Sequence, residues 1–292
     1  SPTPLLRQGA IFVDGKFDQF NRGAPYESLL QALGKLVRYI GTQSHSSLEG
    51  WQARLRDALG EVGHVLTDLI PELEDIIGRQ SELLETSPAE ARNRFQNAVA
   101  RLMRGVATAE RPLVLFMDDL QWADLPTIDL LGSLAGSPDE HPHVLVLGAY
   151  RSNEVKEGHP LESCIAALRQ ADAALDEVAL GPLGEDAVLE LLTDALGTVP
   201  GRVRLAVLCH EKTQGNPFFL KRFLEALHEE RLLESDESRD AWTWQQSRIH
   251  SRPVGEDVVA FTAAELAGPP EPERASAPSS PSSGGRLVRR QP

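Results

Sequence analysis

The sequence predicts an α/β protein in which a parallel sheet with helical layers is followed by a purely helical stretch. Three observations carry that expectation. Leu113–Met117 and Val144–Tyr150 are short apolar runs without polar alternation, as strands covered on both faces require. Helix-length amphipathic segments lie before, between and after them, and strand–helix–strand alternation implies parallel pairing through crossovers. Beyond Gly181-Pro182 the strand-like runs give way to helical periodicity.

Taken in order, Ala10–Val13 is a short apolar run closed by Asp14-Gly15, a buried strand. From Pro25 to Ile40 the residues Leu29, Leu30, Leu33, Leu36, Val37 and Ile40 recur at helical spacing. Helical patterns continue at Leu48–Leu59 and around Val65–Ile77, where Pro71 interrupts. Pro88 sits where a helix can begin, and Ala91–Ala107 continues it with Phe95, Val99, Leu102 and Val106 on one face. After the Leu113–Met117 strand, Asp124 supplies an N-cap. Pro126 is tolerated in the first turn that follows, and Ile128, Leu131 and Leu134 face inward. A helix at Pro160–Ala171 and a short strand at Glu177–Leu180 complete the α/β region.

Glu185–Leu196, Val203–Lys212 and Pro217–Leu233 then read as helices, the last with a stripe of Leu220, Phe223, Leu224 and Leu227. Ala241–Gln245 fits one arm of a hairpin, and Val258–Leu266 a further helix start. From Gly268 to Pro292 the chain is rich in Pro, Ser and Gly without periodicity, a composition that predicts disorder. The expected organisation is an α/β core over 1–182, a helical subdomain over 183–234, a partial winged-helix-like segment over 235–267 and a tail over 268–292. No internal repeat is evident.

With 292 residues the chain is long enough for two domains at about 150 residues each. A net charge of −14 argues against direct, non-specific binding to nucleic acid or anionic lipid. No apolar run approaches the roughly 18 residues of a membrane span, and the N-terminus does not read as a signal peptide. Cys164 and Cys209 form no disulfide framework or CxxC pair, so a reducing, cytoplasmic setting and two structural thiols are expected. His141 and His143 flank Pro142, but no further ligands are spaced to join them in a metal site. Arg286, Arg289 and Arg290 read as a solvated basic end.

Chemistry concentrates at Leu113-Val-Leu-Phe-Met-Asp118-Asp119. A nucleotide site at the end of a parallel strand needs hard oxygen ligands for the Mg²⁺ that bridges phosphates. Asp118 is placed to bind that metal, directly or through water, and Asp119 to orient or deprotonate an attacking water. The same string also fits a buried strand with an acidic turn. Its continuation, Leu120-Gln-Trp-Ala-Asp124, makes it much more specific.

Leu113–Asp124 closely resembles the Walker B region of the STAND ATPases, within the Orc1-like AAA subgroup of P-loop NTPases. Two further stretches agree. Asp14-Gly-Lys-Phe-Asp-Gln-Phe-Asn-Arg-Gly-Ala-Pro-Tyr26 is similar to the segment after the P-loop helix in large bacterial hybrid kinases. There such an ATPase lies between a serine/threonine kinase domain and a sensor histidine kinase. Gly215-Asn-Pro-Phe-Phe219 resembles the family's helical-lid motif.

The resemblance implies ATP or ADP as ligand, Mg²⁺ as cofactor and kinase domains, linked or separate, as partners. It implies that Arg151 approaches the terminal phosphate through charge-assisted hydrogen bonds, and that Asn216 and Pro217 contact nucleotide from the lid. Asn216 and Pro217 also fit the N-cap and first residue of a helix.

One departure is large. A phosphate-binding loop needs G-x-x-x-x-G-K-S/T. The nearest string, Gly9-Ala-Ile-Phe-Val-Asp-Gly15-Lys16-Phe17, has one residue too many between its glycines, lacks the hydroxyl, and is strand-forming within. By the resemblance the true loop precedes Ser1, so the expectation is a fragment without Walker A that binds ATP weakly. At the other end the family continues through a winged helix and helical repeats, where this chain turns low-complexity. Two alternatives stay open: a fragment of a STAND-type transcription regulator, and a non-catalytic scaffold or decayed product.

Overall fold

The structure, a computed structural model, describes residues 9–20, 24–80, 87–236 and 241–251. Its chain divides into two compact units between Glu177 and Val178.

In the first unit, strand β1 (Ile11–Lys16) leads to helices α1 (Glu27–Gly41) and α2 (His45–Leu59), the short α3 (Gly63–Thr67) and α4 (Glu74–Ile77), and α5 (Pro88–Val106). Strand β2 (Leu113–Asp118), helix α6 (Leu125–Gly136), strand β3 (Val144–Gly148) and helix α7 (Pro160–Gln170) follow. The sheet order is β1-β2-β3, and both pairings are parallel.

Local chemistry sets the helix boundaries. Ser87 and Glu90 form a reciprocal capping box at the start of α5, with Pro88 at its first position. Asp124 Oδ1 accepts from the Thr127 amide at 2.9 Å to begin α6. The apolar stripe of α1 is fully used, with Leu29, Leu33, Leu36 and Ile40 at 0% exposure. Pro71 does break the Val65–Ile77 pattern: Pro71–Leu73 is a 3-10 turn between the two short helices.

Both crossovers step the same way across the sheet. The right-handed rule therefore puts α1–α5 and α6 on one face. Burial follows that asymmetry. Ile11, Val13, Leu113, Leu115 and Met117 belong to the main core, with Val144 and Val146 packed against it. On the other face Phe12 stacks against Phe116, centroids 6.2 Å apart, while Leu145 and Leu147 stand 55% and 45% exposed. The expectation of a second strand covered on both faces is thus corrected for the described residues: among them β3 is an edge strand, helix-covered on one side. The expected strand at Glu177–Leu180 is also corrected. These residues form neither strand nor helix, and Val178 and Leu180 are 79% and 92% exposed.

The second unit comprises α8 (Glu185–Leu196), α9 (Arg202–Thr213), α10 (Pro217–Glu229), an antiparallel hairpin of β4 (Leu233–Asp236) and β5 (Ala241–Trp244), and the short α11 (Gln246–Ser251). Its core gathers Val188, Leu192, Leu205, Cys209, Leu220, Phe223 and Leu227 with Leu232, Leu233 and Ile249. The helix expected to run to Leu233 stops at Glu229. Arg231 turns left-handed at φ +57°, Leu232 N–H donates to the Leu227 carbonyl at 2.8 Å, and Arg231 N–H donates to His228 at 3.0 Å. That is a Schellman stop with arginine where glycine is usual, so no sequence signal marked it. The β5 strand matches the expected hairpin arm. The expected helix start at Val258–Leu266 and the tail from Gly268 lie outside the described residues, as does most of the winged-helix-like segment. Among the described residues no helix is long and apolar enough to cross a membrane.

Candidate functional site

Three parallel strands deliver their C-terminal ends to one place, where open α/β sheets put ligands. β1 ends at Lys16, which lies beside Asp118 in the register of β1 and β2. Gly15 permits that placement: a Cβ there would stand 2.9 Å from the Ser28 carbonyl oxygen and 2.9 Å from Met117 Cε. The Ser28 hydroxyl in turn donates to the Lys16 carbonyl at 2.9 Å, and the Phe17 amide donates to the Asp118 carbonyl at 3.1 Å.

Along a strand, Asp118 and Asp119 would point to opposite faces. The chain prevents this by turning at once. Asp119 takes φ +57° and ψ 42°, a left-handed conformation that aspartate tolerates better than most residues. Both carboxylates then reach the same ammonium: Lys16 Nζ lies 2.8 Å from Asp118 Oδ2 and 2.5 Å from Asp119 Oδ2.

The opposite oxygen of Asp119, Oδ1, accepts from Gln121 Nε2 at 3.0 Å and lies 3.8 Å from Arg151 Nε. Gln121 is buried, and its Oε1 accepts from the Arg151 backbone amide at 3.1 Å. His159 Nδ1 accepts from the Leu161 amide at 3.1 Å, so its Nε2 carries the proton and donates to the Gln121 carbonyl at 3.1 Å. The β3 end is tied in by Ala149, whose amide donates to Met117 and whose carbonyl accepts from Leu120, both at 2.9 Å. Arg151 also pairs with Glu154 at 3.2 Å and sits 5.5 Å from the Trp122 ring centre.

The electrostatics follow these contacts. Burial pushes the Asp119 carboxyl up, but hydrogen bonds from Lys16 and Gln121 outweigh it and leave the group below the usual range. Hydrogen bonds to Asp118 and then Asp119 hold the Lys16 ammonium above its ordinary value.

Asp118, Asp119 and Arg151 are therefore brought together. Asn216 and Pro217 belong to the second unit. There Asn216 Oδ1 accepts from the Phe218 and Phe219 amides at 3.0 and 3.3 Å, and Pro217 opens α10. Sequence reasoning passed over Lys16, Gln121 and His159. Lys16 falls in the Gly9–Phe17 string that does not fit a phosphate loop, and Ile11–Lys16 is indeed strand rather than loop. Only the β1–β2 register shows where its side chain ends.

The donor set fits a hard divalent cation. Two anionic oxygens already converge on one positive centre, with the Lys16 ammonium as the stand-in.

A family model described as an AAA ATPase domain matches residues 2–147, half of the chain. The chain is 27% identical over 318 residues to hybrid signal transduction histidine kinase G of Dictyostelium discoideum, an alignment covering 87% of this chain and 9% of that protein. It thus spans less than a tenth of the relative's length. With its α/β parallel-sheet core and a family model matching half of its length, the chain belongs to the AAA ATPase domain family.

Proposed function

We propose that this chain is the ATP-binding regulatory module of a multidomain signalling kinase, of the Orc1-like STAND type. The observation that carries the reading is the convergence of Asp118, Asp119 and Arg151 at the ends of parallel strands within an AAA ATPase domain. In this reading Asp118 holds Mg²⁺, Asp119 positions or deprotonates water, and Arg151 senses the terminal phosphate. Asn216 and Pro217 contact nucleotide from the helical unit, and exchange of ATP for ADP changes the state of attached kinase domains. Bound Mg²⁺ would neutralise phosphate charge; the protein's own part is to orient the carboxylates through Gln121 and the left-handed turn at Asp119. The relative's description as a signal transduction histidine kinase supports the signalling context.

The phosphate-binding loop is proposed to come from polypeptide outside these 292 residues. No G-x-x-x-x-G-K-S/T string occurs in the sequence. The outer edge of β3, unpaired among the described residues, offers a place for one more parallel strand.

Calorimetry with Mg·ATP tests both statements, on this chain and on the chain extended upstream through a phosphate-binding motif. Weak binding by the 292 residues and tight binding by the extended chain, lost in Asp118→Asn, are expected. Equally tight binding by both would overturn the outside loop. No binding by the extended chain would overturn the nucleotide reading.

A further inference from the structure

We infer that Lys16 is the resident counter-ion of the Asp118–Asp119 pair, and that a divalent cation enters only by displacing it. The inference rests on the metal reading above and assigns a role to a residue outside the Walker B segment.

Two adjacent carboxylates turned toward one point repel each other and need a cation between them. Lys16 supplies it with two of its three N–H donors, at 2.8 and 2.5 Å. Its position is fixed by the fold rather than by chance contact. The strand register sets Lys16 beside Asp118, Gly15 packs without a Cβ against Ser28 and Met117, and Ser28 holds the Lys16 carbonyl.

The four carboxylate oxygens are not equivalent. Asp119 Oδ1 is committed to Gln121, with Arg151 beyond it, and Asp118 Oδ1 accepts from the Asp119 amide at 3.0 Å. The two remaining oxygens are the ones Lys16 occupies, and they are also the ones a metal would need. A divalent ion held by those same two oxygens would place a second positive centre beside the ammonium, and the repulsion between them would favour the state in which Lys16 has left. The Lys16 side chain is 64% exposed, so a rotamer change can carry the charge into solvent. Arg151 cannot substitute for it, since its guanidinium approaches the opposite oxygen of Asp119.

Mn²⁺ binding to the full 292-residue chain without nucleotide is the test, read by the loss of the free-ion electron paramagnetic resonance signal. Lys16→Met is expected to bind Mn²⁺ at least about tenfold more tightly than the unaltered chain. Lys16→Arg, which keeps the charge, is expected to stay at the unaltered level. Lys16→Met combined with Asp118→Asn is expected to lose the gain, which places the ion at the acid pair. Lys16→Gln, with a thermal melt of every variant, separates a metal effect from misfolding. Equal Mn²⁺ affinity with and without the Lys16 charge would overturn the inference. So would a gain that survives Asp118→Asn, or no measurable binding by folded Lys16→Met or Lys16→Gln. Because no nucleotide is present, failure of the ATP reading leaves this result independent, and the reverse also holds.

Discussion

Gly215→Ala is expected to destabilise the helical unit by about 2–4 kcal/mol, and the reason separates two explanations of the Gly215-Asn-Pro-Phe-Phe219 string. Gly215 sits at φ +71°, where an L side chain costs about 1–2 kcal/mol. A Cβ there would lie 2.1 Å from the Leu183 carbonyl oxygen and 3.1 Å from Leu183 N, far inside contact distance and against backbone rather than a flexible side chain. The clash forces Leu183 away and removes its amide bond to the Gly215 carbonyl, now 2.8 Å, a loss of about 0.5–1.5 kcal/mol. Leu183 packs against the core formed by Val188, Leu192 and Leu220, so the entry to α8 moves with it.

Urea denaturation followed by tryptophan fluorescence measures the effect, since Trp242 and Trp244 report on this unit. A change below about 0.5 kcal/mol, the usual range for neutral surface substitutions, would refute the reasoning. Asn216→Ala provides the comparison. It removes only the cap to Phe218 and Phe219, at a cost of about 1 kcal/mol. If the string existed only for nucleotide contact, neither change would affect the unliganded protein.

Two further expectations concern the α/β unit. Asp124→Ala removes the α6 cap and strands the fully buried Thr127 hydroxyl, now 2.6 Å from Asp124 Oδ2, so a loss of about 2–4 kcal/mol is expected in chemical denaturation. Asp124→Asn should recover part of it, and a loss confined to the cap value would mean Thr127 finds another acceptor. Stability should also fall as pH drops below about 6.5, the unfolded histidine value. His141 is 5% exposed, and burial, then Arg104, holds its imidazole below that value against a smaller opposing pull from Glu140. The unfolded chain therefore takes up the proton first, and the loss continues down to the lowered folded-state pKa. Denaturation midpoints at pH 7.5 and 5.5 should differ less in His141→Gln, and an unchanged difference would assign the effect elsewhere.

The parts of the fold legible in the sequence are those whose signal is local. Pro88 after Ser87, Asp124 before Leu125-Pro126 and Asn216 before Pro217 each start a helix within a residue or two of the expected position. In each case cap and first turn are contiguous in sequence. Burial of the strands was less legible. Leu113–Met117 and Val144–Gly148 have the same apolar character, yet the first is central and the second has exposed Leu145 and Leu147. What distinguishes them is the order β1-β2-β3, a non-local fact that composition does not encode. The same limit explains Glu177–Leu180: a short apolar run forms a strand only where a partner edge is in reach.

The candidate site divides along the same line, and the division explains why Lys16 was missed while Asp118 was not. Asp118 and Asp119 are adjacent residues after an apolar run, so the sequence alone places both at a strand end. Lys16 is 102 residues from Asp118, and its role exists only because two parallel strands are in register. Gly15-Lys16 makes no phosphate loop along the chain; its partners lie across the sheet, where Lys16 is in register with Asp118. In register, the missing Cβ of Gly15 leaves room for α1, and Lys16 meets Asp118 at the end of β2 and Asp119 just beyond it. A strand ending in Gly-Lys within an α/β sheet thus has two physical readings. The one to prefer is decided by the residue that the pairing places beside the lysine.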